Sequence, residues 1–141
     1  ERDVISLNDK NFNFIPLICY EIIYSGKINL NNENTNFIIN ISEDGWFGDS
    51  VGPHQHFSHT IFRAIEEGKN VIRSTNNGIS AYIDSNGIII SKLASTKKGV
   101  IEINNYKKFN ETFFSKFGNN IFFYILVFYF VLILFLRKRE I

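Results

Sequence analysis

Phe14-Ile15-Pro16-Leu17-Ile18-Cys19-Tyr20-Glu21 sets an apolar run of strand length directly before the chain's single cysteine, with a carboxylate two residues beyond it. The run, Phe14 to Cys19, reads as a buried strand. A strand that ends at a reactive side chain presents it at the rim of a sheet, where substrate can reach it. One cysteine cannot close an internal disulfide, so the thiol is either small apolar filler or chemistry.

Working outward, the pattern alternates between strand and helix. Phe37-Ile38-Ile39-Asn40-Ile41 is a second apolar run of strand length. Gly52-Pro53 then punctuates a loop, and a helix is expected from about His54 to Glu67, with Pro53 at its start and Gly68 at its end. Phe57, Ile61, Ala64 and Ile65 recur at helical spacing and form one apolar face. Val71 to Ser74, Ile79 to Asp84, Ile88 to Ser91 and Val100 to Ile103 read as four more strands. Ser85-Asn86-Gly87 joins the middle two as a hairpin. Residues 104–116 are polar and aromatic and read as a linker. This order implies a layered α/β fold, with too few strands for two complete sheets.

Near the end, Ile121 to Leu136 carries no charge and is apolar on every side. As a helix these residues span about 24 Å, somewhat short of a hydrocarbon core of roughly 30 Å. Phe117 to Asn120 would extend it by a turn, and Tyr124 and Tyr129 suit a headgroup region. Arg137, Lys138 and Arg139 follow at once. The expectation is a transmembrane helix over 117–136 with residues 137–141 as a cytoplasmic tail, leaving 1–116 on the opposite side.

Composition sets outer limits. The 141 residues carry a formal charge of +1, which excludes the strong positive field of a nucleic-acid binder. The chain starts at Glu1 and contains no methionine, so a processed or truncated piece is expected, and residues 1–14 lack a signal-peptide apolar core. The asparagine-rich stretch Asn29 to Asn36 reads as loop usage.

The loop Ser42-Glu43-Asp44-Gly45-Trp46-Phe47-Gly48-Asp49-Ser50-Val51-Gly52-Pro53-His54-Gln55-His56 follows a strand, where α/β proteins place their sites. It is glycine-rich, but no Gly-Lys-Ser/Thr follows, which argues against nucleotide binding. His56 and His59 could share a helix face, yet no second cluster supplies further metal ligands, so no metal and no cofactor is expected. Arg63 and Glu66 stand three apart and are expected to pair on the surface. Thr75-Asn76-Asn77-Gly78 reads as a turn with Gly78 at positive φ. A nucleophilic cysteine needs a base or a positive neighbour to make the thiolate, and donors for the developing oxyanion. Glu21 would share a face with Cys19 only if the strand ran on past the thiol.

Taken together these motifs resemble the apolipoprotein N-acyltransferases, membrane members of the nitrilase superfamily. The resemblance is carried by Pro16-Leu17-Ile18-Cys19-Tyr20-Glu21-Ile22-Ile23, Gly45-Trp46-Phe47-Gly48-Asp49-Ser50 with Gly52-Pro53 and Gln55-His56, Arg63-Ala64 with Glu66 and Gly68, Arg73-Ser74-Thr75-Asn76-Asn77-Gly78-Ile79-Ser80-Ala81, and Ile83-Asp84 with Gly87. It covers roughly residues 14–92, and its specificity lies in the joint order and spacing. One departure is visible. Such proteins usually read Asn-Asp-Ala-Trp-Phe where this chain has Glu43-Asp44-Gly45-Trp46-Phe47, so Gly45 is expected to loosen the loop and Glu43 to add charge.

The resemblance implies the C-terminal part of a nitrilase-like αββα sandwich followed by one transmembrane helix, on the periplasmic face of a bacterial inner membrane. It implies a Glu-Lys-Cys triad of which only the cysteine maps here, onto Cys19. Tyr20, Glu21, Trp46, Phe47 and Gly48 are then expected to shape the site or bind substrate. The implied partners are a phospholipid acyl donor, a diacylglyceryl apolipoprotein acceptor and the membrane. The implied reaction is acyl transfer through a cysteine thioester. A nitrilase-like amidase acting on a small amide, or a non-catalytic membrane-anchored fragment, are the alternatives.

Overall fold

The computed structural model describes residues 3–7, 12–26, 28, 35–107 and 111–139. Most of the asparagine-rich stretch and the last two residues of the tail lie outside these, as does the side chain of Arg139. The strands are β1 (Ile5–Leu7), β2 (Phe12–Ile18), β3 (Phe37–Glu43), β4 (Asn70–Asn76), β5 (Ser80–Ile83) and β6 (Ile89–Leu93). The helices are α1 (Gly52–Glu67), α2 (Phe113–Phe117) and α3 (Asn120–Arg139). Single 3-10 turns cover Cys19–Ile23 and Gly45–Phe47.

The six strands form one mixed sheet in sequence order. Strands β2, β3 and β4 are parallel, while β1, β5 and β6 join antiparallel. The β3–β4 crossover is α1, as parallel neighbours require. Alternation along the central strands is clear. Ile15, Leu17, Ile38, Val71, Ala81 and Ile83 point to one face and pack with Phe57 and Ala64 of α1 as the core. On the other face Ile18 and Ile41 remain 59% and 56% exposed.

The α1 helix starts two residues earlier than the spacing suggests and ends at Glu67 as expected, with Pro53 in its first turn and Gly68 closing it in the left-handed conformation at φ 63°. Its buried face is more polar than expected. His56, Thr60, Arg63 and Glu67 are buried beside Phe57 and Ala64, whereas Ile65 is 46% exposed.

Three expectations need correction. Val100 to Ile103 is not a strand. Ile101 and Ile103 instead line a recess with Ile72, Tyr82 and Leu93, so their apolar side chains gain cover without ladder hydrogen bonds. The stretch read as a linker contains α2, whose N-cap Thr112 accepts from the Ser115 amide. Gly118, at φ 52°, ends α2, so Phe117 belongs to α2 and does not extend the long helix. Extension comes at the other end, and α3 at 1.5 Å per residue reaches about 30 Å. Residues Asn120–Lys138 are long and apolar enough to cross a membrane, and none of the span is buried against the rest of the chain.

β1 escaped the sequence reading because Ile5-Ser6-Leu7 is too short and exposed to leave an apolar signature. The β5–β6 hairpin forms as expected. Asp84 Oδ1 accepts from the amides of Asn86 and Ile88, and Gly87 takes φ 80°.

Candidate active site

Strand β2 ends at Ile18, and Cys19 opens the 3-10 turn with φ 49°. Left-handed backbone at a side chain other than glycine costs on the order of 1–2 kcal/mol. Two buried side-chain nitrogens meet the Cys19 carbonyl. Asn40 Nδ2 lies 3.3 Å away and His56 Nε2 also 3.3 Å. The thiol itself is half-buried, neither sealed in the core nor free on the surface.

Beneath this bend lies a buried polar network. Leu17, Asn40, Arg73 and Ala81 are register partners across β2, β3, β4 and β5. Asn40 Nδ2 also donates to Leu17 O at 3.1 Å, while its Oδ1 accepts from Arg73 Nη1. Arg73 Nη2 lies 3.0 and 2.9 Å from the two oxygens of Asp44, and His56 Nδ1 lies 2.8 Å from Asp44 Oδ1. Asn40, Asp44, His56 and Arg73 are all at most 3% exposed. Burial pushes the Arg73 guanidinium below its ordinary value, and the Asp44 charge pulls it back.

Gly78 makes room for this arrangement. A Cβ there would stand 2.6 Å from Asp44 Cγ and closer still to Oδ2. The expectation of a positive φ at Gly78 is therefore corrected. Asn77 takes the left-handed conformation at φ 57°, and the residue at 78 is glycine for space.

Expected site residues fall as follows. Tyr20 is 51% exposed, with its ring 5.1 Å from His56 and 6.1 Å from Phe47. Phe47 packs edge-on to His56 at 5.7 Å. Trp46 is 88% exposed at the loop tip. Gly48 sits at φ 55° and ψ −150°, a region open essentially to glycine. Because β2 stops at Ile18, Glu21 does not share a strand face with Cys19. Its Oε2 turns back and accepts from the Ile18 amide at 2.7 Å.

The Trp46 loop is held more tightly than expected. Glu43 Oε1 accepts from the Gly45 amide at 2.6 Å and Glu43 Oε2 accepts from Asn76 Nδ2. A Cβ on Gly45 would lie 2.5 Å from Glu43 Oε1, so the two departures from the usual pattern fit one another and brace the loop instead of loosening it.

The Arg63–Glu66 pair forms at 2.8 Å, but Arg63 is buried. Glu66 is a junction, accepting from Ser25 Oγ at 3.0 Å through Oε2 and from Thr112 Oγ1 through its carbonyl. It thereby ties the segment after Cys19 and the lead-in to α3 onto α1. Next to it, burial and then the Glu66 charge push the Glu67 carboxyl up to about 7. His59 is half-buried, and burial first, then Arg63 and His56, hold its imidazole below the ordinary value. Among the described residues no group of three His, Cys, Asp or Glu side chains could hold a metal ion.

Asn40, Asp44, His56 and Arg73 were not read as a unit from the sequence. The signal was present, since Asn40 and Arg73 interrupt apolar strand runs, but their pairing depends on sheet register.

A mixed sheet with a half-buried cysteine in a left-handed bend at the end of a parallel strand fits the match found for residues 2–104 to the carbon-nitrogen hydrolase family, and the chain belongs to that family. Solved structures add the fold alone. An amidase from Nesterenkonia sp. AN1 aligns with TM-score 0.50 and 13% identity over 67% of this chain and 38% of that one. Within the family the chain is similar to proteins named apolipoprotein N-acyltransferase. That of Wigglesworthia glossinidia brevipalpis is 46% identical over 77% of this chain and 22% of its own length. That of Rickettsia bellii is 41% identical over 97% and 28% respectively. The chain thus spans about a quarter of the relatives it matches.

Proposed function

We propose that the protein containing this chain is an N-acyltransferase that moves a fatty acyl group from a phospholipid to the N-terminal amine of a diacylglyceryl-cysteine apolipoprotein, with Cys19 as nucleophile. The observation that carries the reading is the bend at Cys19. Its carbonyl is bound inward by Asn40 and His56. In a planar trans peptide the following N–H then points the opposite way. The Tyr20 amide stands in the first turn of a helical segment, where N–H groups have no helical partner. Such an N–H can donate to a developing oxyanion beside the thiol.

In the first half-reaction the thiol loses its proton, Sγ bonds to the ester carbonyl carbon, and the tetrahedral oxyanion collapses. The ester C–O bond breaks, and the lysophospholipid leaves with the proton taken from the thiol. In the second, the acceptor amine attacks the thioester, the C–N bond forms, the C–S bond breaks, and the amine's proton returns to sulfur. Glu21 is committed to the Ile18 amide and is not the base. The family resemblance assigns proton transfer to a glutamate and a lysine that map to no residue of this chain.

Lipid substrates suit the surroundings. Tyr20, next to Cys19 in the chain, sets its ring near Phe47, and Trp46, adjacent to Phe47 in sequence, projects into solvent as an acyl-chain or bilayer contact. Helix α3 crosses the inner membrane, with Arg137 and Lys138 on the cytoplasmic side and the sheet on the periplasmic face. A site tethered at the membrane meets donor and acceptor in one plane. Cys19→Ser in the full-length protein is expected to abolish transfer from phospholipid to a diacylglyceryl peptide and to prevent capture of an acyl thioester. Retained transfer would overturn the assignment. Ammonia release from small amides with no lipid requirement would favour an amidase instead.

A further inference from the structure

We propose that Asn40, Asp44, His56 and Arg73 are positioning residues that hold the Cys19–Tyr20 peptide in its left-handed orientation, so that the Tyr20 N–H faces the reacting carbonyl. The inference rests on the nucleophile reading above and adds the part of the molecule that enforces it.

The logic is directional. Both oxygens of Asp44 face Arg73 Nη2, and Oδ1 also faces His56 Nδ1, which fixes the guanidinium and the imidazole in place. Arg73 Nη1 donates to Asn40 Oδ1. That contact decides which end of the Asn40 amide is which. With its oxygen claimed by Arg73, its NH2 must face the carbonyls of Leu17 and Cys19. His56 Nε2 meets the Cys19 carbonyl at 3.3 Å, and is a second donor when both ring nitrogens carry a proton. Without these donors the Cys19 carbonyl loses the contacts that hold it inward at φ 49°. The bend then relaxes toward the ordinary regions that a side chain prefers, and the peptide turns its N–H away. All four side chains are buried, so they act through their neighbours: Asn40 through the carbonyls of Leu17 and Cys19, and His56 through the Cys19 carbonyl and the rings of Tyr20 and Phe47.

Asn40→Asp tests this with almost no change of volume, because it replaces a donor facing the Cys19 carbonyl with an acceptor. In the full-length protein kcat is expected to fall about 100-fold, the scale for losing one oxyanion donor, with KM unchanged. Alkylation of Cys19 by iodoacetamide, which needs no oxyanion donor, is expected to stay within about twofold. His56→Gln, which can keep an amide donor near the carbonyl, should retain at least tenfold more activity than His56→Leu. Rates are measured both on phospholipid and on the soluble ester p-nitrophenyl butyrate. If the ester reaction of the unsubstituted protein depends on Cys19 and shows these losses while lipid transfer does not occur, the substrate reading fails and the positioning role stands. If kcat per alkylatable thiol is unchanged in Asn40→Asp, or His56→Gln and His56→Leu are equally impaired, the positioning role is overturned.

Discussion

Adding a single carbon at Gly78 should unseat the buried charge network. In Gly78→Ala the new Cβ stands 2.6 Å from Asp44 Cγ and 2.7 Å from its Cβ, where ordinary contact begins near 3.4 Å. Asp44 must therefore retreat by about 0.8 Å, and further at Oδ2. It has little freedom to do so. Its backbone N–H donates to Asn76 O at 3.0 Å, and its carboxylate is pinned by His56 and Arg73 at 2.8–3.0 Å. A retreat of that size stretches those contacts to roughly 3.7 Å, beyond hydrogen-bonding range. Arg73, fully buried, then faces its counter-charge without a hydrogen bond to it. Outright loss of one partner of a buried pair costs about 3–5 kcal/mol, and overpacking alone about 1–3 kcal/mol. A displaced partner falls between them, so about 2–4 kcal/mol of destabilisation is expected. The entropy that alanine removes from the unfolded chain offsets no more than about 1 kcal/mol. The assay is the urea midpoint of the detergent-solubilised full-length protein, read by pulse proteolysis. Gly48→Ala is the control, because Gly48 has nothing within 4 Å but sits at φ 55°, so it reports backbone strain without a clash. A Gly78→Ala loss below about 0.5 kcal/mol would refute the steric argument.

Two further outcomes are expected. Glu67 is buried, its Oε2 has no hydrogen-bond partner among the described residues, and its carboxyl is raised from 4.5 to about 7. The native state thus binds this proton more tightly than the unfolded chain does. The contribution is complete below about pH 4.5 and is lost as pH rises through about 7, amounting to at most about 3 kcal/mol. Glu67→Gln should flatten that slope in thermal unfolding between those limits, and an unaltered slope would discard the assignment. At the Trp46 loop, Gly45→Ala alone should cost about 1 kcal/mol by displacing Glu43 from the Gly45 amide, whereas adding Glu43→Asn, the usual pairing in the family, should recover most of it. A double-mutant cycle measures this coupling, and strict additivity would show the two positions to be independent.

Much of the fold was legible because its signals are local. The apolar runs of β2 and β3, the Pro53-to-Gly68 frame of α1, the Asn86-Gly87 hairpin and the uninterrupted apolar stretch of α3 each announce themselves within a short window. The failures are non-local. Val100 to Ile103 alternates like a strand but pairs with no strand among the described residues, and strand preference is largely a preference for a suitable neighbour. Arg63 and Glu66 pair at the expected spacing, yet only the approach of Ser25 and Thr112 makes Glu66 a junction.

By itself the sequence determined that a lone thiol would stand at the end of a strand, followed by an aromatic glycine-rich loop and, far along the chain, a membrane-length helix. Periodicity, turn chemistry and hydrophobic length act between near neighbours and can be read from them. Tertiary structure alone decided what steadies the thiol. Asn40, Asp44, His56 and Arg73 come from two strands, a loop and a helix, and they meet beneath Cys19 only because sheet register aligns residues 17, 40 and 73 and Gly78 leaves space for a carboxylate. Burial then makes each of those polar groups depend on the others, since none has water to fall back on.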